Sequence, residues 1–105
     1  MNTLPEVIRF GVIGAGWFAS RRHCPDVVNH RGAELTAMCR RDVSQLEKMA
    51  NAFDVQHTFT DYQDLISSGH VDAVIVCSPH HLDYEHTAAA LAAGLPVLLE
   101  KADHH

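Results

Sequence analysis

The chain has 105 residues, 47% of them apolar and 20% charged, with a formal net charge of −5 at neutral pH. That is room for one domain with one modest core. It is too apolar for a disordered segment, and too acidic for the general basic field that would hold nucleic acid or an anionic membrane.

No apolar run approaches the roughly 20 residues that cross a bilayer, and the first residues lack the basic and apolar regions of a secretory signal. Cys24, Cys39 and Cys77 form no CxxC. They are read as buried thiols of a protein in the reducing cytoplasm.

Residues 7–13, Val-Ile-Arg-Phe-Gly-Val-Ile, are rich in β-branched side chains and lie between Pro5 and a pair of glycines, which predicts a first strand. Residues 17–29 read as helix, ended or bent at Pro25, which lacks an N–H and crowds the preceding turn. A second strand is expected over residues 34–39. Asp42 and Gln45 have the spacing of a capping box. Leu46, Met49, Ala50 and Phe53 then recur at i, i+3, i+4 and i+7 and predict one buried helix face.

A short strand over 56–59 follows, then a brief helix capped by Asp61, reaching Ile66 and stopped by Gly69. Residues 71–77 are almost continuously apolar, as suits a central parallel strand covered on both faces. Residues 82–93 read as an alanine-rich helix closed by Gly94 and Pro96, and residues 96–100 as the last strand. Strands alternating with helices in this way predict an α/β fold, a doubly wound parallel sheet of five strands in the order 3-2-1-4-5.

Such sheets bind ligands at the carboxyl ends of their strands, near the point where strand order reverses. After the first strand comes Gly14-Ala15-Gly16-Trp17-Phe18-Ala19, a G-x-G-x-x-A run. Gly14 permits a tight turn, Gly16 lets a pyrophosphate approach the backbone, and Ala19 lets the helix pack close. After the second strand come Arg40 and Arg41, where an acidic residue would accept hydrogen bonds from a ribose. A guanidinium cannot accept, but it grips a 2′-phosphate, which favours NADP(H) while leaving NAD(H) open. Asp42 is read as a helix cap before it is read as the ribose acid.

Ser78, Pro79 and His80 follow the fourth strand and are placed to flank a nicotinamide. Glu100 and Lys101 follow the fifth, where a lysine would polarise a carbonyl or hydroxyl. His80, His81, Asp83 and His86 are close in sequence. However, His81 and His86 do not share a helix face and no HExxH pattern exists, so no metal site is predicted.

These motifs resemble the dinucleotide-binding domain of the Gfo/Idh/MocA oxidoreductases, named for glucose–fructose oxidoreductase and inositol dehydrogenase, over about residues 7–101. The resemblance rests on Phe10-Gly11-Val12-Ile13-Gly14-Ala15-Gly16, on His23 and Pro25, on the run from Val71 through Ser78-Pro79, and on the run from Ala92 through Glu100-Lys101. It implies a Rossmann fold and a nicotinamide-dependent oxidoreductase moving a hydride to or from a sugar, cyclitol or related alcohol. Lys101 is then the catalytic residue. Gly14, Ala15, Gly16, Trp17, Phe18, Arg40, Arg41, Ser78, Pro79, His80 and Glu100 are the cofactor contacts.

The sequence departs from the family pattern at Arg40, where NAD-using relatives often carry Asp, and at Asp83, where many have histidine. At Ala102 the family expects proline, a further helix and a sixth strand, then a substrate domain. Residues 102–105 are read as the remnant of an expression tag. The partners expected are a small-molecule substrate in the whole protein and a second copy of the chain. The alternative is a non-catalytic module that binds dinucleotide or dimerises.

Overall fold

The computed structural model describes residues 7–14, 32–77 and 80–99, without the side chains of residues 80, 81, 83 and 99. The helix expected over residues 17–29 lies outside them. Among the described residues there are five strands: β1 (Ile8–Ile13), β2 (Ala33–Cys39), β3 (His57–Phe59), β4 (Ala73–Val76) and β5 (Val97–Leu99). Three helices among the described residues lie between the later strands: α1 (Val43–Ala52), α2 (Tyr62–Ser67) and α3 (His80–Ala92). The strands form one parallel sheet in the order β3-β2-β1-β4-β5, as the alternation of elements predicted.

Each face of the sheet has its own core. Val12, Leu35, Met38 and Ile75 meet Leu46 and Ala50 of α1 on one face. Ile13, Ala37, Cys39, Val74 and Val76 meet Leu65 of α2 and Ala90 of α3 on the other. All four residues of β4 are buried, which is what a central strand covered on both sides requires. Along α1 the predicted face is the packed one, with Leu46 and Ala50 buried and Met49 and Phe53 half-buried against them.

The alternation of β2 contains an irregularity that its sequence does not announce. Phe10 pairs with Leu35 but Gly11 pairs with Ala37, so Thr36 is an extra residue in β2. Without this bulge Leu35 and Ala37 would point to the same face. With it, Leu35 enters one core and Ala37 the other. The Thr36 hydroxyl is turned to the backbone, 2.8 Å from the His70 carbonyl and 3.4 Å from that of Phe10.

The helix caps follow from local chemistry. Asp42 accepts from the Gln45 N–H at 3.1 Å, and Asp61 from the Gln63 N–H at 2.8 Å. At the other end of α3, the Leu95 N–H donates to the Ala90 carbonyl (3.0 Å) and the Gly94 N–H to that of Leu91 (2.9 Å), with Gly94 at φ +82°. The end of α1 repeats this pattern: Val55 donates to Ala50 (2.8 Å) and Asp54 to Asn51 (3.4 Å). Here, however, the left-handed position is held by Asp54, at φ +57°.

The fourth strand is shorter than its apolar run suggests. Asp72 N–H donates to the Arg9 carbonyl (2.6 Å), and its carboxylate accepts from the Arg9 backbone N–H (2.8 Å), Nε (3.1 Å) and Nη2 (3.0 Å). This fork ties the start of β1 to the approach to β4. On the other side, Pro96 offers only a carbonyl, which accepts from Val74 (3.0 Å), so the β4–β5 ladder begins at that point.

Candidate cofactor-binding site

The strand order reverses between β1 and β4, so the carboxyl ends of these two strands frame the crevice where ligands bind in doubly wound sheets. Gly14 stands at the tip of β1. Its N–H donates to the Cys39 carbonyl at the end of β2 (3.0 Å), and the Cys77 N–H, just past β4, donates to the Ile13 carbonyl (2.9 Å). Gly14 is therefore pinned between the two neighbouring strand tips. Its φ of +76° is a conformation that a side chain would disfavour.

Arg40 follows the tip of β2 directly. Its N–H donates to the Phe59 carbonyl at the end of β3 (3.0 Å), which aligns a third strand end along the same edge. Arg40 is half-buried and Arg41 exposed. Asp42, the one carboxylate in this turn, faces its own helix: one oxygen caps the Gln45 amide.

Of the predicted site residues the structure thus brings together Gly14, Arg40 and Arg41. His80 is the first residue of α3, so that helix starts two residues earlier than its apolar pattern indicated. Ala15, Gly16, Trp17, Phe18, Ser78, Pro79, Glu100 and Lys101 lie outside the described residues. Val76 pairs with Leu99, so the last described residue of β5 stands beside the end of β4 on this same edge.

Cys39, at the end of β2, is buried. Burial, reinforced by the Asp61 and Asp64 carboxylates, pushes its thiol up to about 12, so it stays protonated and plays no part as a thiolate. Cys77, read from the sequence as a buried thiol at the end of the fourth strand, is half-buried. It follows β4 directly and packs against the core on the α1 face of the sheet. Among the described residues, no three His, Cys, Asp or Glu side chains converge to hold a metal ion, and no helix is long and apolar enough to cross a membrane.

A cavity of about 250 Å³ opens at the opposite, amino end of the sheet, lined by Arg9, Glu34, Thr36, Asp54, His57 and His70 among others. It has neither the glycine turn nor the strand tips of a nucleotide crevice, so it is a separate feature.

Fold and strand-tip geometry together define an NAD-binding Rossmann domain. The profile of the oxidoreductase family with this NAD-binding Rossmann fold matches residues 8–101, and the chain belongs to that family, the Gfo/Idh/MocA oxidoreductases. It is 35% identical over 94 residues to D-glucoside 3-dehydrogenase of Escherichia coli, covering 90% of this chain and 27% of that protein. It is 30% identical over 95 residues to the NADP(+)-dependent scyllo-inositol 2-dehydrogenase of Bacillus subtilis, covering 90% and 29%.

Among solved structures, scyllo-inositol dehydrogenase of Lactobacillus casei with bound NAD(H) and scyllo-inositol superposes with a TM-score of 0.83 at 26% identity, over 90% of this chain and 28% of that one. The 3-ketoreductase KijD10 of Actinomadura kijaniata with NADP gives 0.85 at 35% identity, over 90% and 30%. The chain spans less than a third of the length of each of these relatives.

Proposed function

We propose that the chain binds NADP(H) in preference to NAD(H) along the carboxyl edge of its sheet. In the whole protein, it serves hydride transfer to or from an oxygen-bearing carbon of a sugar, cyclitol or related alcohol. The observation that carries this reading is Gly14. A left-handed glycine pinned between the tips of β2 and β4 opens the run Gly14-Ala15-Gly16-Trp17-Phe18, whose backbone N–H groups would cradle the pyrophosphate.

Arg40 and Arg41 would hold the 2′-phosphate, because the Asp42 carboxylate is engaged in its helix cap. Relatives described with NADP(+) and with NAD(H) both occur, so the arginine pair is what favours NADP(H) here. Ser78, Pro79 and His80 would border the nicotinamide, and Glu100 would steady the cofactor. Lys101 would donate a hydrogen bond to the substrate oxygen and stabilise the charge that develops there. The bound cofactor supplies the hydride chemistry; the chain supplies position and charge. The protein works in the cytoplasm and associates with a second copy of itself.

Calorimetric titration of the chain with NADPH and, separately, NADH tests this. Saturable binding of NADPH, at least about tenfold tighter than NADH, is the expected result. No heat from either nucleotide overturns the site, and equal affinities overturn the role of the arginines.

A further inference from the structure

At the amino end of the sheet the rings of His57 and His70 lie parallel, with centroids 3.7 Å apart and planes 5° from one another. His57 opens β3 and is paired with Ala37 of β2. His70 lies in the connection from α2 to β4. Its carbonyl accepts from the bulged Thr36 hydroxyl (2.8 Å), and its N–H donates to Ser68 Oγ (3.2 Å). The ring pair therefore joins the edge strand to the connection entering the central strand, beside the bulge of β2.

Both rings are half-buried and line the cavity of about 250 Å³, a space larger than either ring, so separating them displaces no packed core side chain. Two neutral imidazoles stack at this distance, and so do one neutral and one charged ring. Two imidazolium ions at 3.7 Å repel, and even at the dielectric of water the repulsion favours separation roughly tenfold.

The charged groups lining the same cavity are Arg9 from β1, Glu34 from β2 and Asp54 from the turn before β3. Arg9 is taken up by its fork with Asp72. With one ring charged, a second proton on the pair is placed against a like charge. Histidine is the side chain whose charge changes between pH 5 and 8.

We propose that the His57–His70 stack is a proton-operated latch. It holds β3 against the α2–β4 connection while at most one ring is charged, and it opens into the adjoining cavity when both are. The latch is independent of the nucleotide crevice, which lies at the other end of the strands.

The test is NMR of the chain between pH 7.5 and 5, following ring-to-ring contacts of the two imidazoles and amide exchange in β3 and around His70. In the unmodified chain the contacts are lost toward pH 5, and local exchange, corrected for its intrinsic pH dependence, rises roughly tenfold. His57→Phe keeps a stacking ring that cannot be charged, so its contact with His70 and its corrected exchange stay constant over the range. His70→Phe makes the same test if the first variant does not fold. Ring contacts that persist at pH 5, or a phenylalanine variant that responds as the unmodified chain does, overturn the latch.

Discussion

Gly11 stands three residues before Gly14, yet its reason for being glycine is a matter of packing. A Cβ built at this position lies 2.8 Å from Val71 Cγ1 and 3.0 Å from Leu65 Cδ2. Carbon pairs settle at about 3.5–4.0 Å, so Gly11→Ala forces Val71 back by about 0.7 Å. Leu65 can turn its terminal methyl, but Val71 is β-branched and stiff at χ1, and both belong to the buried core. Overpacking of this kind costs roughly 1–3 kcal/mol, and restricting the unfolded backbone returns roughly 0.4–1.

The net loss is about 1–2 kcal/mol, or about 5–15 °C in Tm for a chain of this size, measured by circular dichroism. Trimming the obstructing methyl tests the cause. In a double-mutant cycle, Val71→Ala is expected to cost about 1 kcal/mol less in the Gly11→Ala background than alone. NADPH affinity of the folded variant stays unchanged, in contrast to Gly14→Val. A Gly11→Ala protein as stable as its parent, or a cycle with no coupling to Val71, refutes the reasoning.

Asp54 holds the left-handed position after α1 that Gly94 holds after α3. Asp54→Gly is expected to raise stability by about 0.5–1 kcal/mol in urea titration. Asp54→Asn, which removes only the charge, separates that backbone effect from the carboxylate. Arg40→Asp is expected to lower the ratio of NADPH to NADH affinity by about 10–100-fold in calorimetry, and an unchanged ratio removes the 2′-phosphate role.

The Arg9 guanidinium and backbone N–H hold the Asp72 carboxyl below the usual carboxylate range. The fork therefore contributes stability above about pH 4 that is lost as pH falls through the lowered value. With the two side chains 42% and 29% exposed, solvent screens the pair and the contribution is modest. Acid-denaturation curves of Asp72→Asn are expected to be less stable at pH 7 and flatter below pH 4 than those of the parent.

What the sequence determined by itself was everything carried by short-range pattern. A β-branched run marked β1, an almost continuous apolar run marked β4, and the alternation of strands with helices predicted the order of the sheet. The i, i+3, i+4, i+7 spacing marked the buried face of α1, and Asp42, Asp61 and Gly94 marked helix ends, because a cap acts within a few residues of itself. The strand-then-glycine-then-helix order also pointed to the edge of the sheet where Gly14 and Arg40 now stand together.

Only the tertiary structure decided the rest. Thr36 became a bulge because β1 and β2 must send Leu35 and Ala37 to opposite cores. Arg9 found Asp72, and His57 found His70, through strand pairings that bring distant segments side by side. Asp54 was drawn into a conformation costly for its residue type because two backbone hydrogen bonds and the burial of Val55 outweigh that cost. Such choices depend on register and on which faces are covered, and neither exists until the sheet has assembled.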